Sequence, residues 1–317
     1  MNLAPFIKPL RPVDALVIFF ALLLSILHLW FVPFHNAIIL VIANIMTCFG
    51  IAAFSSYRAH HPSIAWLHDW YPVPVIFFTF KEVYVIIQSM TYPDIDHVLI
   101  AIDRWIFGVD PTVVLHQFSS PLVTEILQIA YTSFYFIMLT LGIELYLKKE
   151  IGKFTFSTFT LSYGFYLSYI GYLLFPGVGP RFTLHDFHTL DMELPGLWLT
   201  EFLRNTINAG ESIPPGAADA FTHAQRDVFP SGHTQMTLIV FYFASKYKLT
   251  SRYVLYGLGT LLIIGTVYLR YHYVIDLFAG ALFMAFTVWT APKIARWWDS
   301  LRASLNGRNV TTERGNN

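Results

Sequence analysis

Apolar runs of about twenty residues recur along most of the chain, and they constrain its fold more than any other feature. The runs cover residues 12–33, 35–56, 73–91, 121–147, 154–175, 232–247, 253–270 and 273–291. A helix needs about 20 apolar residues to cross a bilayer, where every backbone polar group must find its partner within the protein. Only 13% of the 317 residues are charged, against about 25% in soluble domains. The sequence therefore predicts an all-α, polytopic membrane helical bundle with about eight transmembrane helices.

The distribution of basic residues indicates how these helices cross the membrane. If the N-terminus is cytoplasmic, 14 of the 20 Lys and Arg residues fall on the inner side, 5 fall on the outer side, and Lys81 lies within a run. Cytoplasmic connections are enriched in Lys and Arg. We therefore expect both termini to be cytoplasmic.

The alternation of apolar and polar stretches predicts three segments. Residues 1–120 would hold the N-terminal transmembrane helices and, over 92–120, an interfacial or re-entrant helix pair. Residues 121–298 would form a second helical bundle, in which residues 176–231, rich in Pro, Gly and His, form a lid. Residues 299–317 are polar and are expected to be a disordered cytoplasmic tail.

The net charge and the only cysteine exclude some classes of partner and site. The formal net charge is zero, so no nucleic-acid partner is indicated. The only cysteine, Cys48, lies in an apolar run, which excludes an intrachain disulfide and a cysteine-built metal site.

Lys81 and Glu82 lie in the middle of the third run, where ionisable side chains are costly. A contact with a lipid head group and a structural polar bridge are both open for them.

Two motifs place titratable side chains at the outer ends of neighbouring predicted helices: Phe229-Pro230-Ser231-Gly232-His233 and Arg270-Tyr271-His272-Tyr273-Val274-Ile275-Asp276. Ser231 is a favourable N-cap, and Gly232 allows close approach of the backbone, so this helix start is a candidate anion site beside His233. His272 and Asp276 are spaced i, i+4, so the carboxylate can orient the imidazole ring.

Arginines supply the positive charge that an anionic substrate requires. Arg270 precedes His272, while Arg181 and Arg226 lie towards the two ends of the lid. Guanidinium groups bind phosphoryl oxygens in a directed way. Two histidines, an orienting acid and several arginines at a helix N-terminus are what phosphoryl transfer through a phosphohistidine requires.

The two motifs resemble the second and third motifs of the type 2 phosphatidic acid phosphatase superfamily, the membrane lipid phosphate phosphatases. The tyrosines beside His272 and the lid sequence Gly179-Pro180-Arg181 resemble its inositolphosphotransferase branch, which includes inositol phosphorylceramide synthase. The superfamily has a lysine where this chain has Leu174 and an arginine where it has Thr266. These departures favour the transferase-like branch.

The resemblance implies a role for each candidate residue and makes residues 121–298 the catalytic bundle. His272 would attack phosphorus, Asp276 would orient it, and His233 would protonate the leaving oxygen and later activate the acceptor. The phosphate-binding residues would be Arg181, Ser231 and Gly232, with Arg270 and Arg226 as further candidates. The implied mechanism needs no metal and no cofactor.

The expected protein is therefore an integral membrane enzyme with its active site on the extracytoplasmic face. It would cleave a phospholipid or lipid phosphate and transfer the phosphoryl head group to a lipid hydroxyl or to water. A lipid phosphate phosphatase, acting on phosphatidic acid, phosphatidylglycerophosphate or polyprenyl diphosphate, is one open alternative. The others are a metal-dependent oxidase that uses both histidines and the aspartate as ligands, and a lipid-binding protein or transporter. The oligomeric state is not indicated.

Overall fold

The computed structural model describes residues 7–58 and 60–314, and of residues 306–314 it describes the backbone alone. Helices joined by turns and loops make up this part of the chain, and it contains no β-strand. An α-helix satisfies its own backbone hydrogen bonds, which suits a chain of this apolar composition. The predicted all-α fold is confirmed for the described residues.

The α-helices are numbered in chain order. They are α1 (Pro12–Phe31), α2 (Phe34–Tyr57), α3 (Pro62–Trp70), α4 (Pro72–Ser89), α5 (Asp96–Phe107), α6 (Pro111–Leu115), α7 (Pro121–Thr132), α8 (Phe134–Leu147), α9 (Ile151–Leu174), α10 (Pro180–Thr183), α11 (Leu190–Glu193), α12 (Thr200–Gly210), α13 (Ala220–His223), α14 (Gly232–Lys246), α15 (Arg252–Tyr268) and α16 (Val274–Arg314). Short 3-10 helices cover His116–Phe118 and Phe187–Thr189.

All of the apolar runs are helical, but not all of these helices are long and apolar enough to cross a membrane. Within the described residues the candidate spans are Pro12–Phe31, Phe34–Tyr57, Pro62–Ser89 and Val274–Leu305, with one more if α7 and α8, bent by 48°, form a single span. Helices α14 and α15 have 15 and 17 residues, fewer than the roughly 20 that a straight crossing needs. Eight spans and the N-in, C-in topology stay predictions.

The chain divides into two compact units. The first comprises Met1–Met90, Thr155–Tyr166 and Phe286–Asn317, and the second comprises Thr91–Phe154 and Leu167–Ala285. The segment that contains α5 and α6 belongs to the second unit, while the predicted division into residues 1–120, 121–298 and 299–317 stays a prediction. Buried aspartates of α5 bind loops of that unit.

In the first unit, α1 packs against α2 and α4. A buried polar cluster connects the start of α1 with the α3–α4 segment. The Asp14 carboxylate accepts hydrogen bonds from the Arg11 backbone N–H at 2.6 Å and from the Tyr71 hydroxyl at 2.8 Å, and His68 lies 3.0 Å from it. Arg11 pairs with Asp69 at 2.6 Å. Because its carboxylates have hydrogen-bonding or cationic partners, the cluster tolerates burial.

The end of α16 also belongs to the first unit. The Trp298 indole N–H donates to the Leu10 carbonyl at 3.0 Å, and Arg302 Nε donates to the Lys8 carbonyl at 2.9 Å. These bonds hold the chain on both sides of residue 299, and the helix continues to Arg314. Residues 315–317 lie outside the described part, and the disordered cytoplasmic tail over residues 299–317 stays a prediction.

In the second unit, α7 packs against α12 and α15, and α14 packs against α8 and α15. Ser231 caps α14 as predicted, because its hydroxyl oxygen accepts a hydrogen bond from the Thr234 N–H at 3.2 Å. Its own backbone N–H donates to the Asp276 carbonyl at 3.0 Å. A Cβ atom added to Gly280 would lie 2.5 Å from the Ser231 carbonyl oxygen. The N-terminal ends of α14 and α16 are therefore in direct contact.

We expect Gly280→Ala to destabilise the protein by about 1–3 kcal/mol, because the new methyl group overlaps a backbone oxygen of the neighbouring segment. Thermal unfolding of the purified protein in detergent measures this effect. Gly257→Ala on α15 is the matched control, since a Cβ atom there has no neighbour within 4 Å, and it should keep or raise the melting temperature. Equal melting temperatures for the two variants would contradict the close contact.

Candidate active site

The two histidines of the sequence motifs meet where α14 and α16 begin. His233 Nδ1 lies 3.3 Å from His272 Nε2, and His272 Nδ1 lies 2.9 Å from the carbonyl oxygen of Val228. A carbonyl oxygen can only accept a hydrogen bond, so His272 Nδ1 carries the proton. In the neutral ring the lone pair is therefore on Nε2, which accepts a hydrogen bond from Nδ1 of His233.

Asp276 lies one helical turn after His272, as the spacing predicts. Its Oδ2 is 3.4 Å from His272 Nδ1 and accepts a hydrogen bond from the Tyr273 backbone N–H at 2.8 Å. The shorter contact of His272 Nδ1 is with Val228, so a backbone carbonyl, more than the carboxylate, orients the ring. Asp276 places a buried carboxyl group beside the imidazole.

The charge states of the site follow from burial and from its neighbours. Burial lowers the pKa of His272 well below its ordinary value of 6.5, and the neighbouring His233 ring and Arg181 guanidinium act in the same direction. The ring is therefore neutral at pH 7, which is its nucleophilic form. Burial also opposes the charge of Arg181, but the Glu211 carboxylate outweighs it and raises the pKa of this guanidinium.

A stack of rings connects His233 with Arg181. Tyr131 of α7 lies against His233, with 4.6 Å between ring centroids, and against Tyr271, with 4.2 Å between centroids. The guanidinium of Arg181 lies over the Tyr271 ring at 4.7 Å, a favourable position for a cation. The stack brings an arginine of the lid to the histidine pair, and its central residue, Tyr131, is not among the predicted site residues.

Each arginine predicted to bind phosphate forms an ion pair with a carboxylate: Arg181 with Glu211, Arg270 with Glu193, and Arg226 with Asp94. Arg270 also donates to His116 Nδ1 at 3.2 Å. Burial and the charge of Arg270 lower the pKa of His185 to about 4. The structure thus directs Arg181 towards the histidine pair, and Arg270 and Arg226 towards other polar groups.

Ser231 and Gly232 form the start of α14, as predicted, but their backbone groups already have partners. A Cβ atom on Gly232 would lie 2.4 Å from the Tyr172 phenol oxygen, and the Gly232 N–H donates to that oxygen. The space beside Gly232 is therefore occupied by Tyr172. Binding of phosphate by Ser231 and Gly232 stays a prediction.

The sequence profile of the PAP2 superfamily matches residues 97–290. The chain belongs to the PAP2 superfamily. The match contains both histidines, Asp276 and the three arginines, and it indicates chemistry of the phosphatase or phosphotransferase type. Together with the apolar helices, it indicates an integral membrane protein. No curated protein and no solved structure matches the chain.

A buried aspartate of α5, one residue before the PAP2 match, holds two loops of the site together. Asp96 accepts hydrogen bonds from the backbone N–H groups of Val178 at 3.0 Å and Gly179 at 2.8 Å. It also accepts one from the Tyr273 hydroxyl at 2.8 Å. One carboxylate thereby connects the loop before Arg181 with the residue after His272. Gly179 has φ +92°, and a Cβ atom there would lie 2.7 Å from the Tyr271 carbonyl oxygen.

Asp103, two turns after Asp96 on the same face of α5, binds the start of α16. Its carboxylate accepts hydrogen bonds from the backbone N–H groups of Val274 at 2.8 Å and Ile275 at 2.9 Å. The first N–H groups of a helix have no partner within it, so an acceptor there stabilises the helix start. Between the two aspartates, Leu99 packs in an apolar cluster with Val228 and Tyr273.

The lid, residues 176–231, is fixed to α7 of the PAP2 region by Glu125. This buried carboxylate accepts hydrogen bonds from the backbone N–H groups of Leu197 at 2.9 Å and Leu199 at 2.7 Å, and from the Thr200 hydroxyl at 2.6 Å. These residues lead into α12, so Glu125 neutralises the positive end of a lid helix. The lid is therefore an ordered segment that contains short helices.

Metal-binding side chains do not gather in the described part of the chain. No group of three or more His, Cys, Asp or Glu residues there is arranged to hold a metal ion. In the lid, His185 Nε2 lies 3.0 Å from the Thr112 hydroxyl, and Asp191 pairs with Arg204.

We expect Asp96→Asn to destabilise the protein by about 1–3 kcal/mol, because the new amide N–H group would face backbone N–H donors in place of an acceptor. Chemical or thermal unfolding in detergent checks this value. Asp110→Asn in the same segment is the matched control: its ion pair, at 2.8 Å, is with Arg104, whose side chain is 56% exposed, so the loss should stay below about 1 kcal/mol. Equal losses would refute the anchoring role of Asp96.

Proposed function

We propose that this protein is a lipid phosphotransferase of the inositol phosphorylceramide synthase type. It cleaves the phosphoester of a donor phospholipid and transfers the phosphoryl head group to the hydroxyl of an acceptor lipid. The observation that carries the proposal is the histidine pair, in which the lone pair of His272 Nε2 lies opposite the proton on His233 Nδ1. A nucleophile and a general acid in contact are the parts that a two-step transfer needs.

In the first step, His272 Nε2 attacks phosphorus and forms an N–P bond while the P–O bond to the leaving alcohol breaks. His233, protonated on both ring nitrogens when the anionic donor is bound, gives its Nδ1 proton to the leaving oxygen and becomes a neutral ring. The imidazole of His272 then carries a positive charge. The Val228 carbonyl at 2.9 Å and the Asp276 carboxylate at 3.4 Å are placed to stabilise that charge.

In the second step, the acceptor hydroxyl gives its proton to His233, and its oxygen attacks phosphorus. The N–P bond breaks, its electron pair returns to His272 Nε2, and both rings regain their starting protonation. If the donor is a lipid phosphomonoester and water takes the place of the lipid hydroxyl, the same steps release free phosphate and the enzyme is a phosphatase.

The short distance between the rings adds a requirement to this mechanism. In-line transfer places the nucleophile, phosphorus and leaving oxygen in a row, and 3.3 Å between His233 Nδ1 and His272 Nε2 leaves no room for phosphorus and oxygen. The donor lipid therefore has to displace the hydrogen bond between the histidines as it binds. Arg181 binds the phosphoryl oxygens in exchange for part of its pairing with Glu211.

Two observations favour a lipid acceptor over water. His272 is 3% exposed, and the rings of Tyr131 and Phe134 lie 4.6 and 4.4 Å from that of His233, so the pair is shielded from bulk water. Leu174 and Thr266 replace charged residues of the superfamily pattern, as the sequence resemblance to the transferase branch implies. A lipid phosphate phosphatase is the second candidate, and it differs only in the acceptor.

The count of basic residues supports an active site on the extracytoplasmic face. Arg181, Arg226 and Arg270 belong to the minority of Lys and Arg residues that the predicted topology places outside. A phospholipid donor and a lipid acceptor would both reach the site from the bilayer.

Product analysis by chromatography tests the proposal. Purified protein is given head-group-labelled phospholipids, including phosphatidylinositol, with and without ceramide or diacylglycerol. We expect label on the acceptor lipid, lowered by more than about 10²-fold in His272→Ala, because the nucleophile is lost. His223→Ala, which removes a half-exposed lid histidine, should keep the activity.

The other outcomes decide between the candidates. Free phosphate released from lipid monoesters or diphosphates, with no label on any acceptor, would make the protein a phosphatase. Equal turnover in His272→Ala and wild type would refute the phosphohistidine mechanism for either activity.

A further inference from the structure

A cavity of about 340 Å³ lies among α1, α2 and α4 in the first unit. Its residues fall between Val17 and Val85 and therefore lie outside the range that matches the PAP2 superfamily. Its walls are mostly apolar, with a few polar side chains from two helices. Ligand sites commonly have this composition and volumes of about 300–1,000 Å³.

The polar part of the cavity centres on Glu82, which lies mid-span in α4. Glu82 Oε2 accepts a hydrogen bond from Asn44 Nδ2 at 2.7 Å and lies 3.0 Å from His28 Nε2. His28 and Asn44 are buried, so the carboxylate is held in one place. An ionisable residue fixed within a membrane span marks a functional site more often than a structural one.

Most of the hydrogen-bonding groups that Asn44, Thr47 and Glu82 leave to a ligand are acceptors. The Thr47 hydroxyl donates to the Ala43 carbonyl at 2.9 Å, and the Asn44 amide donates to Glu82. What remains at these residues is the Thr47 hydroxyl oxygen, the Asn44 carbonyl oxygen, the second Asn44 Nδ2–H and the rest of the Glu82 carboxylate, so acceptors outnumber donors. A ligand that completes the site brings a donor such as a hydroxyl group.

The charges of the cavity call for an uncharged ligand. Lys81 and Glu82 both contribute to its walls, and their opposite charges balance. A phosphate-bearing head group would add an uncompensated negative charge in a region of low dielectric, at high cost.

The mouth of the cavity faces the surface of the unit that apolar side chains cover. Ala43 is exposed, and the Phe78 side chain is 65% exposed. In a membrane protein such a surface contacts lipid chains. A lipid can therefore enter from the side, place its head group beside Glu82 and leave its chains in the bilayer.

We propose that this cavity binds a neutral lipid with a free hydroxyl group, of the diacylglycerol type, through a hydrogen bond from that hydroxyl to Glu82. The site is separate from the histidine pair and does not depend on the proposed transferase activity. It gives Lys81 and Glu82 a head-group contact, one of the two roles that the sequence leaves open for them.

Photolabelling of the full chain in nanodiscs of dioleoylphosphatidylcholine tests the proposal. The probe is a diacylglycerol that carries a diazirine near the glycerol end of one acyl chain. We expect label in peptides of α2 and α4, and unlabelled dioleoylglycerol should compete for it. The methyl ether of dioleoylglycerol should compete about tenfold less well, because it cannot donate a hydrogen bond to a charged acceptor.

Two variants of α2 complete the test. Ala43→Phe fills the mouth and should lower the labelling by about tenfold, equal to about 1.4 kcal/mol of binding free energy. Ala53→Phe introduces the same side chain at an exposed position of α2 that does not line the cavity, and its labelling should match the wild type. Equal labelling of the two variants would overturn the proposal. So would competition by the methyl ether equal to that by the alcohol, or stronger competition by phosphatidic acid.

Discussion

The arrangement of the site depends on buried carboxylates that accept hydrogen bonds from backbone N–H groups. Asp96 binds the Val178–Gly179 backbone before Arg181, and Asp103 binds the start of the helix that carries Asp276. Glu125 binds the start of α12 in the lid in the same way. Loops in an apolar surrounding must satisfy their polar groups within the protein. A carboxylate with two acceptor oxygens satisfies several at once, so each of these acids fixes a loop at a defined position.

The positive charges of the site are also satisfied by groups within the protein. Each candidate arginine of the site has a carboxylate partner, and the Arg181 guanidinium is buried beside Glu211 and the Tyr271 ring. Such a pair stays charged without substrate, and a phosphoryl group can bind by replacing part of the carboxylate's contact. The His272 ring, by contrast, is held neutral by burial and nearby positive charge. A neutral imidazole beside a fixed cation suits the proposed attack on an anionic phosphoester.

Much of the fold and part of the site could be predicted from the sequence. The apolar runs predict helices, and the two motifs predict that His233, His272 and Asp276 meet, because apolar length and i, i+4 spacing are properties of the sequence itself. The Val228 carbonyl could not be predicted, since any residue offers that group. Tyr131 gave no signal within an apolar run. Asp96 and Asp103 gave a weak signal, because they are two acids seven residues apart on an amphipathic helix. The backbone N–H groups that donate to them lie far along the chain, so these contacts could not be predicted.

The central claim is that His272 carries the phosphoryl group, and trapping that intermediate tests it most directly. Purified protein is mixed with a phosphoryl-labelled donor lipid, quenched in alkali within the first turnover, digested and mapped by mass spectrometry. The account predicts label on the peptide that contains His272, stable in alkali and lost in acid, and an increase in this label when the acceptor is omitted. Label on another residue, or full turnover with no labelled protein at any time, would contradict it.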